Sequence, residues 1–158
     1  MEKKKDLSQY DLAALECVSG KKVAVVTAQW NIEVTGEMER ACVETLKKHG
    51  LEEQNIVRVS AAGSFELPFV AKQCMLKYNV DAVICIGCII QGETRHFDFI
   101  AQACANGMMQ LGLESNRPVI FGVLTTNNMQ QAIDRSGGKH GNKGIEAAVA
   151  CLKCLSDF

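Results

Sequence analysis

The chain has 158 residues, which suits one domain, and at this size roughly two-thirds of the unfolded surface is buried on folding. Its hydrophobic fraction of 47% and its charged fraction of 22% are those of an ordinary globular protein, and they exclude a disordered or fibrous chain. A formal net charge of -1 gives no electrostatic reason to bind nucleic acid or an anionic membrane. We therefore expect a single domain over residues 1–158, with no nucleic-acid or membrane partner.

We expect neither a secretory signal nor a membrane-spanning segment. The sequence begins Met-Glu-Lys-Lys-Lys-Asp and lacks the apolar core of a signal peptide. The longest strongly apolar run, residues 82–90, is interrupted by glycine and is less than half of the about 20 residues that cross a bilayer. We expect a cytoplasmic protein in which residues 1–21 form an arm or an edge strand.

The eight cysteines are predicted to be reduced and structural. Most lie on apolar stripes, where a thiol packs as a small hydrophobic group. Cys85 and Cys88 have CxxC spacing, but residues three apart in a strand point to opposite faces and cannot easily chelate one ion. Cys151 and Cys154 share a helix face without a second pair of ligands nearby. No metal site is expected.

Four apolar runs, at residues 23–28, 56–60, 82–90 and 119–125, predict buried strands, and the segments between them have helical periodicity. The predicted core faces of the helices are Val34, Met38, Cys42 and Leu46, with Gly50 ending the first helix; Leu67, Val70, Ala71, Cys74 and Tyr78; Phe97, Ile100, Ala101, Cys104, Met108 and Leu111; and Ile145, Ala148, Val149 and Leu152. Right-handed crossovers between parallel strands then give a three-layer α/β/α sandwich around a four-stranded parallel sheet.

Ligands of open parallel sheets bind beyond the carboxyl ends of the strands. Trp30 follows the first strand, where its ring can stack on an aromatic heterocycle; the alternative is a half-buried packing residue. Glu66, preceded by Gly63 and Ser64, can bond ligand hydroxyls; the alternative is an acidic residue favoured by the helix dipole, with Pro68 in its usual early-helix place. Neither residue alone decides the function.

The segment after the third strand suits an anion and a proton carrier. Gly92, Glu93 and Thr94 directly precede a predicted helix and can offer free amides to a phosphate. His96 lies beside them, and a histidine can pass protons in either direction near neutral pH. The alternative for His96 is a structural or solvated loop residue.

Residues 134–144 are predicted to form a flexible connection punctuated by glycines. The guanidinium of Arg135 can clamp a phosphate bidentately. The alternative is a helix C-terminus with favourable positive charges, followed by a glycine cap. The run is similar to a phosphate-binding P-loop only in composition, because the Walker spacing is missing.

Taken in order, these motifs resemble the lumazine synthases over residues 21–155. The resemblance rests on residues 30–31, 63–68, 92–98, 121–125 and 137–144, which stand in family order and at family spacing. It implies a flavodoxin-like fold and a transferase of riboflavin biosynthesis. The implied reaction condenses 5-amino-6-(D-ribitylamino)uracil with 3,4-dihydroxy-2-butanone 4-phosphate and releases phosphate and water. No metal or redox cofactor is implied.

The resemblance also implies the roles of individual residues. The aromatic ring at Trp30 stacks on the pyrimidinedione; the family usually has phenylalanine there, and the larger ring is expected to strengthen binding of riboflavin or the product. The same ligand is held by Asn31, Ser64, Phe65, Glu66, Ile89 and Ile90. The phosphate site maps onto Glu93 and Thr94, His96 transfers protons, and a neighbouring subunit supplies Phe121, Arg135 and the positive charges of Lys139 and Lys143.

A site shared between subunits implies an oligomer. Members of the family form cyclic pentamers that remain alone, pair into decamers or assemble into icosahedral shells. The compact 137–144 linker resembles that of the shell-forming members, and riboflavin synthase is a candidate partner.

Two other functions are open to such a sequence. A flavin-binding or storage protein would use Trp30 but has no need of a phosphate pocket with His96, Arg135 and Lys143. A flavodoxin-like electron carrier would need a phosphate loop after the first strand, and residues 28–31 are poor in the glycine and hydroxyl residues that suit one.

Overall fold

The computed structural model describes residues 6–11 and 18–158, and its centre is a parallel four-stranded sheet. The strands are β1 (Val23–Ala28), β2 (Ile56–Ala61), β3 (Ala82–Ile90) and β4 (Val119–Thr126), in the order β2-β1-β3-β4. The two central strands, β1 and β3, are buried along almost their whole length, which explains their continuous apolar sequences. All four predicted strands are confirmed, and two of them extend one residue further, to Ala61 and Thr126.

Helices cover both faces of the sheet. They are α1 (Ile32–Lys48), α2 (Leu67–Tyr78), α3 (His96–Ser115), α4 (Met129–Asp134) and α5 (Lys143–Asp157), with short 3-10 turns at Glu53–Asn55 and Ser64–Glu66. One core cluster packs α1 and α5 on one face, and a second packs α2 and α3 on the other. The predicted three-layer α/β/α sandwich is therefore confirmed.

The apolar stripe of α5 is rotated from the predicted one. Its buried side chains include Ala147, Ala148, Cys151 and Leu152, whereas the predicted core residues Ile145 and Val149 are only half-buried. The cause is the close packing of α5 on α1: a Cβ at Gly144 would overlap the carbonyl oxygen of Met38. Small residues on α5 therefore face the neighbouring helix.

The prediction of a flexible connection over residues 134–144 is wrong. Helix α4 ends at Asp134, and the chain continues into a small antiparallel hairpin of β5 (Ser136–Gly138) and β6 (Gly141–Asn142). Arg135 is the C-terminal cap of α4, as the alternative interpretation of this run anticipated. Elements this short leave no apolar periodicity in the sequence, since α4 has 6 residues and the two strands have 3 and 2.

Within the described parts of the N-terminal segment, residues 6–11 and 18–21 form no strand, and residues 1–5 and 12–17 lie outside the described residues. The seven described cysteines are free, and Cys17 falls outside the described part. Cys85 and Cys88 belong to the cores on opposite faces of the sheet, as their spacing predicted. No helix among the described residues is long and apolar enough to cross a membrane.

Candidate active site

A cavity of about 540 Å³ opens at the carboxyl edge of the sheet. Its walls come from the turn after β1, the turn after β2, the end of β3 and the start of α3. The lining residues are Trp30, Asn31, Gly63, Ser64, Phe65, Glu66, Cys88, Ile89, Ile90, His96 and Ile100. The parallel topology explains this convergence, because consecutive strands end at the same edge and send their loops over it.

The turn after β1 presents Trp30 to the cavity. Asn31 adopts a left-handed conformation (φ 60°), and its Nδ2 donates to the carbonyl oxygen of Cys88 at 3.0 Å. This bond joins the turn to β3, so the two walls keep a fixed spacing. The Trp30 side chain is 73% exposed, which does not fit the alternative of a half-buried packing residue. One large aromatic surface is therefore available to a flat ligand.

The turn after β2 is closed by its own acidic residue. The amide of Gly63 donates to Oε2 of Glu66 at 3.0 Å, while Oε1 of Glu66 makes no hydrogen bond to a described residue. Gly63 lies against the tryptophan, since a Cβ at this position would come within 2.9 Å of Trp30 Cδ1. Ser64 is buried and Phe65 is 57% exposed. The turn thus offers a carboxylate oxygen and an apolar ring beside the tryptophan.

Strand β3 forms the floor with Cys88, Ile89 and Ile90. Burial raises the pKa of the Cys88 thiol to about 11, so this thiol stays protonated at neutral pH and is a poor nucleophile. The sequence predicts Cys88 in the core, and its contact with the cavity is visible only in the structure. The same is true of Ile100, whose spacing of four residues from His96 puts both on one side of α3.

The loop after β3 leads into α3 beside the cavity. His96 is the first residue of this 20-residue helix and lines the cavity, whereas Glu93 and Thr94 lie exposed just before it and outside the lining. The amides of residues 92–95 donate to no described residue. Free amides at the N-terminus of a long helix favour an anion at this end of the cavity.

The remaining predicted residues lie elsewhere in the same chain. Arg135 and Lys139 line a separate cavity of about 400 Å³. The Arg135 guanidinium donates to the carbonyl oxygen of His140 at 2.6 Å and pairs with Glu146, which also accepts from Lys143 Nζ at 3.2 Å.

The carboxylate of Asp134 pairs with Lys139 Nζ at 3.3 Å. The hydrogen bond from Gln130, together with Lys139, lowers the pKa of Asp134 and keeps this group ionised. Each of the three predicted cations near this hairpin therefore has a carboxylate partner within its own chain.

Phe121 is also separate from the main cavity. It lies on β4, in an apolar groove of about 410 Å³ with Met109 and Leu113, both of which are largely exposed. The chain thus gathers eight predicted residues in the main cavity and places Glu93 and Thr94 at its margin. Four lie apart from it, namely Phe121, Arg135, Lys139 and Lys143.

No group of three or more histidine, cysteine, aspartate or glutamate side chains able to hold a metal ion occurs in residues 6–11 and 18–158. The polar groups of the cavity are instead a carboxylate, an amide, a hydroxyl and an imidazole. Such groups bind and orient an organic ligand and exchange protons with it.

The chain is a parallel α/β sandwich with a ligand cavity at its carboxyl edge. The cavity contains an exposed tryptophan and a histidine at a helix N-terminus, an arrangement typical of an enzyme that acts on small molecules. The sequence profile of the 6,7-dimethyl-8-ribityllumazine synthase family matches residues 20–157. The chain is 51% identical to the 6,7-dimethyl-8-ribityllumazine synthase of Cytophaga hutchinsonii, covering 96% of this chain and 95% of that protein.

The chain is also 43% identical to the 6,7-dimethyl-8-ribityllumazine synthase of Phocaeicola vulgatus and 46% identical to that of Flavobacterium johnsoniae. The matches cover 97% and 94% of this chain, and 90% and 78% of those proteins. The chain therefore belongs to the 6,7-dimethyl-8-ribityllumazine synthase family, transferases of riboflavin biosynthesis.

Proposed function

We propose that this enzyme forms 6,7-dimethyl-8-ribityllumazine by condensing 5-amino-6-(D-ribitylamino)uracil with 3,4-dihydroxy-2-butanone 4-phosphate. The observation that carries the proposal is the single cavity in which an exposed tryptophan, a carboxylate turn and a histidine meet. Its volume of about 540 Å³ is within the range of cavities that bind small organic ligands. The family match over residues 20–157 supports the same reaction.

The aminouracil binds in the Trp30 part of the cavity. Its flat pyrimidinedione stacks on the exposed indole, and Ile89 and Ile90 provide the apolar floor. The polar ribityl chain lies along the turn after β2, where the free Oε1 of Glu66 and the hydroxyl of Ser64 accept hydrogen bonds from its hydroxyl groups. Asn31 and Phe65 complete this part of the site.

The phosphate of the second substrate binds at the start of α3. The free amides of residues 92–95 provide donors from this chain, including those of Glu93 and Thr94. Arg135 lies in another cavity of its own chain, so we assign it to the site of a neighbouring subunit. Its pairing with Glu146 orients the guanidinium, and Lys139 and Lys143 add positive charge nearby.

The reaction needs positioning and proton transfer. The primary amine attacks the ketone, and loss of water gives an imine; phosphate then leaves, the resulting enol rearranges, and the ribitylamino nitrogen closes the ring with loss of a second water. His96 lines the cavity as the first residue of α3, and we assign to it the transfer of protons to and from these intermediates. Holding both substrates together contributes on the order of several kcal/mol, more than one proton-transfer residue supplies.

An oligomer follows from a site completed by a neighbour, and we propose a cyclic pentamer that assembles further into an icosahedral shell. The outer surfaces of α2 and α3 carry exposed large apolar side chains, namely Phe69, Leu76, Phe99, Met109 and Leu113. Such a surface favours burial against other copies of the chain. Phe121 lies in the groove beside Met109, and we assign it to the pocket of a neighbouring subunit. Free cysteines throughout the described core suit the cytoplasm, and riboflavin synthase remains a proposed partner.

The test is direct. The purified protein is mixed with the aminouracil and the butanone phosphate while lumazine fluorescence and phosphate release are followed together. We expect equal amounts of both products, and no fluorescence when either substrate is omitted. Binding of flavin without turnover would instead indicate a storage protein, and would refute the proposed reaction.

A further inference from the structure

The hairpin of β5 and β6 carries the cations assigned to the phosphate, yet it is very short. Its ladder pairs Ser136 with Asn142 and Gly138 with Gly141, with an irregularity between them. Arg135 precedes the hairpin and Lys139 lies in its turn. A two-stranded hairpin of this size has little stability of its own in water. The position of these cations therefore depends on what the rest of the chain packs against the hairpin.

The N-terminal strap, which we define as residues 6–11, lies directly on this hairpin. Oδ1 of Asp6 accepts from the amide of Ser8 at 2.9 Å and from its hydroxyl at 2.7 Å. The hydroxyl oxygen of Ser8 in turn accepts from the amide of Asn142 at 3.2 Å. A hydrogen-bonded chain thus runs from the Asp6 carboxylate into the backbone of β6.

Gly141 permits this close approach. Its φ of +87° is in the left-handed region, and a Cβ at this position would overlap both Asp6 Oδ1 and Ser8 Oγ. Only glycine satisfies the backbone conformation and the contact together. The side chains of Asp6 and Ser8 therefore pack directly against the backbone of the hairpin.

The strap makes a second contact with the folded chain through Tyr10, and its Asp6 carboxylate interacts electrostatically with Arg135. The Tyr10 hydroxyl lies 3.2 Å from Nε2 of His49, at the end of α1, and the two rings are 5.8 Å apart. The hydrogen bonds from Ser8 lower the pKa of Asp6, and the positive charge of Arg135 contributes in the same direction. The Asp6 carboxylate is therefore ionised at neutral pH and interacts favourably with the Arg135 cation.

We propose that Asp6 and Ser8 are positioning residues that hold the hairpin, and with it Arg135 and Lys139, in the orientation that receives the substrate phosphate. The inference rests on the proposed role of Arg135. The strap touches neither substrate; it acts by restricting the backbone between α4 and α5. Its loss should therefore weaken binding of the phosphorylated substrate and leave the aminouracil site unchanged.

The experiment compares Ser8→Ala with Gln9→Ala, an exposed neighbour in the strap that makes no hydrogen bond to a described residue. For Ser8→Ala we expect the KM for butanone phosphate to rise about threefold to tenfold, the effect of losing one hydrogen bond. The KM for the aminouracil should change less than about twofold on the same scale. Amide deuterium exchange over residues 136–142 should become faster by a similar factor.

Two variants of Asp6 separate geometry from charge. Asp6→Asn keeps an Oδ1 acceptor for Ser8 and loses only the weaker charge interaction with Arg135, so its exchange and its KM should remain close to those of the parent protein. Asp6→Ala should behave like Ser8→Ala. Unchanged exchange over residues 136–142 in both Ser8→Ala and Asp6→Ala would overturn the proposal. If Arg135→Ala raises the KM for butanone phosphate, the proposal would also be overturned by faster exchange in Ser8→Ala and Asp6→Ala without a change in that KM.

The role of Arg135 is checked separately. If Arg135→Ala itself leaves the KM for butanone phosphate unchanged, the assignment of Arg135 in the proposed function fails. The proposed role of the strap in phosphate binding is then refuted as well. The exchange measurement still shows whether the strap stabilises the hairpin. The two failures are therefore distinguishable.

Discussion

Replacing Trp30 with alanine tests the stacking site with little effect on the fold. The indole is 73% exposed and belongs to neither core cluster, so its removal should leave the free energy of unfolding nearly unchanged. A stacked ligand covers one face of the ring, about 100 Å² of the 150–250 Å² that a large aromatic side chain buries. At about 25 cal/mol per Å² this contributes ~2.5 kcal/mol to binding.

This free energy corresponds to about a 70-fold rise in the KM for the aminouracil. Trp30→Phe should lose a smaller part of the affinity, because a smaller ring remains. The assay is steady-state lumazine fluorescence, with thermal unfolding measured on the same samples. Phe158→Ala is the matched control, since Phe158 is an exposed aromatic residue outside the cavity lining. A KM that rises less than threefold, or a melting temperature that falls by several degrees, would refute the reasoning.

Three further predictions follow from the site and the core. His96→Ala should reduce turnover by about a hundredfold to ten-thousandfold without abolishing it. Arg135→Ala should reduce activity further, because binding of the substrate phosphate is lost. A steady-state comparison in which His96→Ala has no activity and Arg135→Ala has full activity would contradict the assignment. Gly144→Ala should cost about 1–3 kcal/mol in thermal unfolding because its Cβ meets the Met38 carbonyl oxygen, whereas Gly36→Ala, with open space around it, should be neutral or stabilising. Burial raises the pKa of Cys88 to about 11, so a thiol reagent at pH 8 should leave Cys88 unlabelled until denaturant is added. Peptide mass spectrometry distinguishes Cys88 from the half-buried Cys154, and rapid labelling of Cys88 in the native protein would contradict its buried, protonated state.

The comparison of Gly144 with Gly36 separates two effects of glycine in helices. Both lie in helices, but only Gly144 stands where α5 crosses α1 in close contact. At Gly36 alanine removes the conformational freedom of the unfolded chain at no steric cost, and at Gly144 the steric overlap outweighs that gain. Equal melting temperatures for the two variants would show that the helices can separate to accept the extra methyl group.

The layers of the fold and most residues of the main cavity can be predicted from local patterns in the amino-acid sequence. Buried strands reveal themselves as continuous apolar runs because both faces of a parallel sheet are covered, and β1 and β3 were predicted with their exact observed ends. The residues that follow parallel strands must meet at one edge, so their order along the chain is enough to group Trp30, Ser64 and His96.

Features that depend on close contacts between distant segments are visible only in the folded chain. The hairpin after α4 leaves no periodic signal, because its strands are too short and its contact with the strap joins residues more than 130 positions apart. The rotation of the α5 stripe likewise depends on the approach of Gly144 to α1. Local sequence patterns indicate which face of a helix or strand is buried. The neighbour of each element and the distance between them depend on side-chain packing in the folded chain.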